Sequence, residues 1–441
     1  MKSLDIGTLL ETGRSSLRLK FILLLAALAI ILDGADIQLL AVAIPALMKD
    51  WHLARSAFAG VVTCGLVGMM IGGALAGAAG DRLGRKAALL LSTLVFATAT
   101  LSLATAQGLM SLAALRFVAG IGLGGALPNA AALVAEFVPR RQRAFTVTLT
   151  IVCVPIGGMA AGFLAARILP AFGWRWLFVL GGLVPLVCLL VQYFFLVESP
   201  RFLARRPARW PELVAFLRST GHDVAVGSAF TDESEEPLAR PSVGALFTGD
   251  YWRDTLALWL AFSSCMLAVY AGFNWIPALL AGAGWPVAAA SGGILYFNLG
   301  GVAGAVAASI VISRFGSKPT MLAIALVGVA SALVLSRMTI GAAVPHPPTL
   351  AMLTVLGGLI NALMVATYAL TAHIYPTTVR ATGLGTAVSV GRLGAVLSAA
   401  AGSWMLDQGG YPYFFYMVAG AMVVCFTGLA LIRRHIPRVR V

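Results

Sequence analysis

Four ionisable residues interrupt long apolar stretches of this sequence. Asp33 and Asp36 fall in the first apolar run. Arg116 falls in a glycine-rich run, and Arg392 lies about ten residues inside another. A charged side chain at the centre of a bilayer costs roughly 2.5–3.5 kcal/mol on insertion scales, so such residues mark proton, ion or substrate pathways. If these runs span a membrane, the four side chains are the first candidates for function.

The two aspartates are separated only by Gly34 and Ala35. Their i, i+3 spacing places both carboxylates on one face of a helix, where they need a polar cavity or a charged partner. Neighbouring carboxylates in an apolar environment suit a group that takes up and releases a proton. A structural role is the alternative, in which their buried hydrogen bonds hold two parts of the molecule together. The pattern favours proton coupling by Asp33 and Asp36.

The two arginines suggest substrate binding. Arg392 lies too deep in its run to reach the interface easily, and its charged planar fork is a natural partner for a substrate carboxylate. A structural ion pair with an acid on another helix is the alternative. Arg116 is close enough to the end of its run to extend to the interface, or it faces the cavity and pairs with Asp33 or Asp36. We expect both arginines to contribute to the substrate site.

The elements that carry these residues are long apolar helices. Of the 441 residues, 60% are hydrophobic and only 11% are charged, whereas soluble domains carry about 25% charged residues. This composition excludes an ordinary soluble enzyme and a disordered or fibrous chain. Continuous apolar runs of about 20 residues indicate transmembrane helices rather than barrel strands. Twelve spans are predicted, at 21–47, 57–80, 87–106, 109–136, 144–168, 176–197, 254–281, 288–312, 320–342, 350–373, 382–407 and 412–432.

The distribution of basic residues predicts the orientation. The net charge of +14 would suggest nucleic acid as a partner of a soluble protein. Here, 24 of the 31 basic residues lie in segments on one side of the predicted spans, the side that holds both termini. Because cytoplasmic loops of membrane proteins collect Lys and Arg, we expect both termini in the cytoplasm and no nucleic-acid partner.

The spans fall into two groups separated by one polar segment. This segment, 198–253, is rich in polar residues, and a short surface helix is predicted near Pro211–Arg218. The predicted organisation is a cytoplasmic N-terminus (1–20), a six-helix bundle (21–197), a cytoplasmic linker (198–253), a second six-helix bundle (254–432) and a cytoplasmic tail (433–441).

Two loops of the first bundle recur in the second. Asp81–Lys86 matches Ser313–Lys318, and Glu136–Ala144 matches His373–Ala381. Matching loops at a nearly constant offset argue for a duplicated six-helix unit, as in transporters whose substrate site lies between the halves. Their glycines allow tight turns, and their charged groups can pair in one transport state and separate in another. We expect conformational gating by Gly77, Asp81, Arg82, Gly84, Arg85, Glu136, Arg143, His373 and Arg380.

Aromatic and amide side chains lie together in the second bundle. The seventh span contains Tyr270, Asn274 and Trp275, and the eighth contains Asn298. Most aromatic residues in membrane spans only pack or lie at the interface. Those beside asparagines are the best candidates to hold a ring, so we expect these four residues to bind substrate.

The sequence contains no motif of enzyme catalysis or metal binding. There is no P-loop, HExxH or GxSxG motif and no Cys/His cluster, so we expect no enzyme activity, no cofactor and no metal. Each of the five cysteines lies in an apolar run, which predicts buried small side chains without disulfides.

These motifs resemble the major facilitator superfamily. Its most specific loop signature matches Gly77–Lys86, and Glu198–Leu203 agrees with its pattern. Within the superfamily the chain is similar to the bacterial aromatic acid:proton symporters, on the DGxD element at Asp33–Asp36, the Arg116–Asn129 stretch and Gly391–Gly394. Two positions depart from the family pattern: Ser313, where aspartate is common, and Ala35, where a bulkier aromatic is common.

The resemblance implies a function and roles for individual residues. Family members import aromatic carboxylates such as benzoate, hydroxybenzoates or longer phenyl acids, driven by the proton gradient. Asp33 and Asp36 would couple protons, and Arg392 and Arg116 would handle substrate or charge balance. Asp81, Arg82 and Arg85 would control the conformational cycle. The expected protein is a monomer in the inner membrane of a bacterium, with protons, an organic acid and lipid as its partners.

Two alternatives remain at this stage. One is a symporter or exporter of another organic or sugar acid. The other is a membrane receptor that binds such a compound without moving it, although the only sizeable polar segment is the 198–253 linker.

Overall fold

The computed structural model describes residues 4–12, 16–222, 224–225, 227–232, 243–247, 251–341, 346–375 and 379–438. Almost all of these residues are helical. Two strands of two residues each, β1 (Leu4–Asp5) and β2 (Phe230–Thr231), form a parallel pair. The α-helices are α1 (Ile6–Thr12), α2 (Leu17–Trp51), α3 (Ala59–Leu83), α4 (Arg85–Leu103), α5 (Leu109–Phe137), α6 (Arg140–Phe195), α7 (Pro200–Ala204), α8 (Trp210–Ser219), α9 (Tyr251–Gly282), α10 (Val287–Phe315), α11 (Ser317–Arg337), α12 (His346–Ile374) and α13 (Arg380–Leu431).

Ten of the described helices are long and apolar enough to cross a membrane. Two of them, α6 with 56 residues and α13 with 52, are more than twice the length of about 20 residues that one crossing needs. Each breaks at glycine: Gly173 has φ 79° inside α6, and Gly410 has φ 66° inside α13. Each therefore holds two crossings. The predicted all-α membrane architecture, with twelve transmembrane helices in two six-helix bundles, is confirmed.

An even number of crossings places both ends of the chain on one side. We call this side the linker face, because it also holds the segment between α6 and α9, and we call the other side the opposite face. The predicted surface helix is present as α8, and Phe216 of α8 packs edge-on against Phe137 at the end of α5, with ring centroids 5.3 Å apart. The β1–β2 pair attaches the N-terminal segment to the same linker.

Glycines bring helices of each bundle into close contact. A Cβ at Gly157 of α6 would overlap the Ile31 carbonyl oxygen of α2, and a Cβ at Gly300 of α10 would overlap the Thr354 carbonyl oxygen of α12. The two bundles meet along α2–α10, α6–α10 and α3–α13. These contacts enclose a cavity at the level of Asp33.

The cysteines follow the prediction with one exception. Four are buried, whereas Cys64 is only half-buried; all five are free thiols.

Candidate functional site

A cavity lies between the two bundles. Its walls come from both bundles and are mostly apolar, and among the described residues its charged lining consists of Asp33 of α2 and Arg392 of α13. The predicted proton-coupling and carboxylate-binding residues thus reach one cavity from opposite sides.

Asp33 is almost completely buried, with 1% of its surface exposed. Its Oδ1 atom makes no hydrogen bond to any part of the chain that the structure describes. A buried ionised carboxylate without partners is costly. Asp33 therefore presents a carboxyl group that a proton, or a donor on a ligand, can reach from the cavity.

Arg392 crosses the interface between the bundles. Its Nη1 atom donates a hydrogen bond to the Met69 carbonyl oxygen of α3. A Cβ at Gly73 would overlap the same nitrogen, so the missing side chain at Gly73 makes room for the guanidinium. An arginine has five N–H donors, and this contact uses one nitrogen. The remaining donors are available to an anion in the cavity.

Asp36 has different surroundings from Asp33. Its Oδ1 accepts a hydrogen bond from Thr100 Oγ1 at 2.7 Å, and its Oδ2 lies 3.2 Å from Arg116 Nη1. Arg116 Nη2 also donates to the Asp36 and Ile37 carbonyl oxygens, at 3.0 and 2.9 Å. Asp36 and Arg116 form a buried ion pair inside the first bundle. Arg116 is buried in this pair and does not line the main cavity, and its role in substrate binding stays a prediction.

Aromatic rings form one wall of the cavity. Tyr270 and Phe273 of α9 and Tyr368 of α12 line it. The rings of Tyr270 and Phe273 meet edge-on at 5.9 Å. Tyr270, one of the predicted substrate-binding residues, therefore lines the same cavity as the two charged groups.

The other predicted ring-binding residues lie elsewhere. Trp275 is fully buried between α9 and α13, where its Nε1 donates to the Ser398 carbonyl oxygen at 3.2 Å and Gly402 leaves room for the ring. It belongs to the packing of the second bundle rather than to the cavity lining. Asn274 lines a smaller adjoining cavity of about 290 Å³ together with Arg116.

Asn298 also lies outside the main cavity. Its Nδ2 donates to Gln38 Oε1 at 2.7 Å, and Gln38 Nε2 donates back to Asn298 Oδ1 at 3.3 Å. Both side chains are fully buried. The pair joins α2 to α10 across the two bundles, so the structure gives Asn298 a partner in the protein where the sequence predicted a substrate contact.

A polar network connects the predicted gating loop to the linker. Asp81 Oδ1 lies 2.8 Å from Arg85 Nη2, and Arg85 Nε donates to Glu136 Oε1 at 3.3 Å. Glu136 Oε2 accepts a short hydrogen bond from Ser199 Oγ of the linker. Four elements, α3, α4, α5 and the start of α7, are thus joined at the linker face.

Gly84 is needed for this connection. It has φ 108°, a conformation that residues with side chains rarely adopt, and a Cβ there would overlap Glu198 Oε2. Glu198 Oε1 accepts from the Lys86 backbone nitrogen at 3.0 Å. The tight turn therefore lets a linker carboxylate cap the start of α4.

The remaining gating candidates make fewer contacts. The Arg82 side chain is exposed, although its carbonyl oxygen accepts from Arg206 Nη2. A Cβ at Gly77 would meet open space, and the His373 side chain is exposed. The side chains of Arg143 and Arg380 lie outside the described residues.

Sequence reasoning missed several polar residues of the interface. Asn361 lines the cavity, and Arg55 forms an ion pair of 3.5 Å with Asp407 between the bundles at the opposite face. Asn361 is a lone amide in the apolar run Gly357–Met364, and the criterion of aromatics beside asparagines passes over it because this run has no aromatic residue. The Arg55–Asp407 pair had no such signal, because each residue lies at a span end, where charge is ordinary.

Comparisons with known proteins agree with this architecture. The model of the Major Facilitator Superfamily matches residues 26–340 and 294–440. A gallate transporter of Pseudomonas putida is 33% identical over 93% of this chain and 92% of its own length. A 4-hydroxybenzoate transporter of Pseudomonas aeruginosa is 34% identical over 91% of this chain and 89% of its own. The crystal structure of a D-xylose-proton symporter has the same fold, with a TM-score of 0.69 at 19% identity over 92% of this chain and 96% of that one.

The chain belongs to the major facilitator superfamily and is a multi-pass membrane transporter rather than an enzyme. Among its relatives are proteins named as transporters of aromatic acids, as the sequence motifs predicted.

Proposed function

We propose that this protein is a proton-coupled symporter that imports an aromatic carboxylate by alternating access. The observation that carries the proposal is the cavity between the bundles, in which Asp33 and Arg392 face a mostly apolar space beside tyrosine and phenylalanine rings. A ring fits the apolar wall, and a carboxylate fits the guanidinium. The relatives named for gallate and 4-hydroxybenzoate support this substrate class.

The charges in the site explain why a proton would accompany the substrate. Asp36 and Arg116 neutralise each other, which leaves one negative and one positive group, Asp33 and Arg392, in the cavity. A bound carboxylate adds a negative charge, and one proton on Asp33 restores the balance. Because unbalanced charge is costly in a low-dielectric site, substrate and proton would favour each other's binding.

The gating and orientation belong to the same proposal. The Asp81–Arg85–Glu136–Ser199 network would hold the linker face in one state and rearrange in the other. Gly77, Arg82, Arg143, His373 and Arg380 are proposed to take part in this cycle. The linker face would be the cytoplasmic face of the bacterial inner membrane, in accordance with its excess of basic residues.

Uptake into proteoliposomes tests the proposal. With an inside-alkaline pH gradient, labelled benzoate or 4-hydroxybenzoate should accumulate, and a protonophore should abolish accumulation. Arg392→Gln should prevent uptake because the carboxylate loses its cation, whereas Arg337→Gln, an exposed arginine at the end of α11, should not. Uptake restricted to aliphatic or sugar acids would contradict the substrate class. Binding without accumulation would contradict transport.

A further inference from the structure

One side of the cavity carries a polar group that the mechanism above leaves unused. Asn361 of α12 lines the cavity and is 6% exposed. It lies against Gly301 of α10, where a Cβ would lie 2.9 Å from Asn361 Nδ2. The missing side chain at Gly301 makes room for the amide next to the cavity.

The orientation of this amide follows from its neighbour. Asn361 Nδ2 donates to the Gly357 carbonyl oxygen at 2.9 Å. A carbonyl oxygen can only accept, so the nitrogen must face Gly357 and the oxygen must face away from it. Within the described residues, Asn361 Oδ1 accepts no hydrogen bond. The cavity therefore contains an amide oxygen to which no described residue donates.

Asn361 and Arg392 lie on different sides of the cavity. Arg392 lies where α13 meets α3, since it bonds to the Met69 carbonyl oxygen. Asn361 lies beside α10, at the side where Val152 of α6 packs with Ala305 of α10. For the remote edge of a ring to reach Asn361, a substrate whose carboxylate pairs with Arg392 would have to extend across the cavity.

We propose that Asn361 is a specificity-determining residue that selects aromatic acids with a hydroxyl group on the ring edge remote from the carboxylate. The proposal rests on the proposed function, because it assumes an aromatic carboxylate in this cavity. A phenolic hydroxyl has a pKa near 10 and keeps its proton at neutral pH. It can donate to Asn361 Oδ1, whereas an unsubstituted ring leaves this acceptor unpaired and away from water.

Competition by four ligands distinguishes the effect of a hydrogen bond from the effects of the size and the ring position of the substituent. Unlabelled 4-hydroxybenzoate, 4-fluorobenzoate, benzoate and 2-hydroxybenzoate compete against labelled 4-hydroxybenzoate in proteoliposomes. We expect 4-hydroxybenzoate to compete about tenfold better than the other three, as one buried hydrogen bond predicts. The fluoro compound fills similar space without a donor, and the 2-hydroxyl group lies beside the carboxylate. Equal competition by the 4-hydroxy and 4-fluoro acids in the wild-type protein overturns the proposal.

Substitutions test whether Asn361 is responsible for this selectivity. Asn361→Leu should remove the preference, so that the ratio of 4-hydroxybenzoate to benzoate uptake falls about tenfold. Thr367→Val on the same helix removes a hydroxyl that bonds only to the Leu363 carbonyl oxygen, and it should keep the wild-type ratio. A ratio that persists in Asn361→Leu overturns the inference and leaves the proposed function intact. Failure of the wild-type protein to transport any of the four acids overturns the proposed function itself.

Discussion

Two aspartates three residues apart on α2 have different surroundings. Asp33 reaches the cavity and has a carboxylate oxygen without a partner, whereas Asp36 is bonded to Thr100 and Arg116 inside the first bundle. Positions i and i+3 differ by about 60° around a helix, which is enough to place one side chain in a cavity and the other between helices. Substitutions of these two residues should therefore have different effects on the protein.

Asp33→Asn should uncouple transport while the protein stays folded. The substitution keeps the shape of the side chain and removes the group that would carry the proton. Accumulation of the aromatic acid against a gradient should be lost, while exchange of labelled for unlabelled acid across the membrane continues. Both are measured in proteoliposomes, with Asp50→Asn at the opposite face as the control that keeps accumulation. Full gradient-driven accumulation by Asp33→Asn would disprove its coupling role.

Asp36→Leu should destabilise the protein. It leaves the Arg116 guanidinium buried without its counter-ion, and breaking a buried pair in this way costs about 3–5 kcal/mol. The melting temperature of the detergent-solubilised protein should fall, and the double variant Asp36→Leu/Arg116→Leu should recover part of the loss. If the double variant is less stable than Asp36→Leu, the ion-pair explanation is incorrect.

At the scale of elements, the sequence predicted the helices more completely than it predicted the contacts of single residues. Apolar length predicted the twelve crossings, and Pro211–Arg218 predicted the surface helix that the structure shows as α8. These features follow from local composition, because a membrane span must satisfy its own backbone hydrogen bonds. The docking of the C-terminal tail had no such signal, since it depends on contacts distant in sequence.

The tail is attached by His435 and Asp254. The Ser317 hydroxyl lies 3.1 Å from His435 Nδ1 and accepts a hydrogen bond from the Ile436 nitrogen at 2.8 Å. Asp254 Oδ1 accepts from the Arg433 backbone nitrogen at 2.8 Å. Burial lowers the pKa of His435 below its ordinary value of 6.5, and the nearby Lys318 acts in the same direction. The docked tail thus favours the neutral imidazole.

Tail docking should weaken as the pH falls. Since the docked state binds the proton less well than the free state, its stability is complete above pH 6.5 and decreases as the pH falls towards the lowered pKa of His435. Hydrogen exchange at the Ile436 amide, measured between about pH 5 and 8, should show faster opening at the acid end. His435→Gln should remove this dependence; an unchanged pH profile would show that another group controls the tail.

At the scale of the whole molecule, polar contacts join the two bundles both at the cavity and at the opposite face. Among described residues, polar contacts between them include Arg392 with Met69, Gln38 with Asn298, and the Arg55–Asp407 ion pair at the opposite face. The proposed alternating access would require such contacts to break when that face opens. The side chains of Arg55 and Asp407 are 18% and 37% exposed, so this pair is easier to alter without damage to the fold than the buried Gln38–Asn298 pair.

Asp407→Arg should shift the protein towards opening at the opposite face. It replaces an attraction with a repulsion between the bundles, and the swap Arg55→Asp/Asp407→Arg should restore the wild-type state. A cysteine placed at Leu40, beside the smaller cavity, reports the shift through its rate of labelling by an impermeant reagent from that face. Equal labelling of all three proteins would mean that this ion pair does not control the opening.

The sequence by itself determined the membrane class, the number of crossings, the family and the four intramembrane charges. These properties depend on composition, on local periodicity and on motifs that are contiguous in the chain. Only the tertiary structure decided that Asp33 and Arg392 share a cavity, that Asp36 and Arg116 neutralise each other, and that Trp275 and Asn298 belong to packing and to the interface. The reason is that the partner of a side chain in a helical bundle depends on which helix packs against it. The order of the helices in the sequence does not determine which helices pack together.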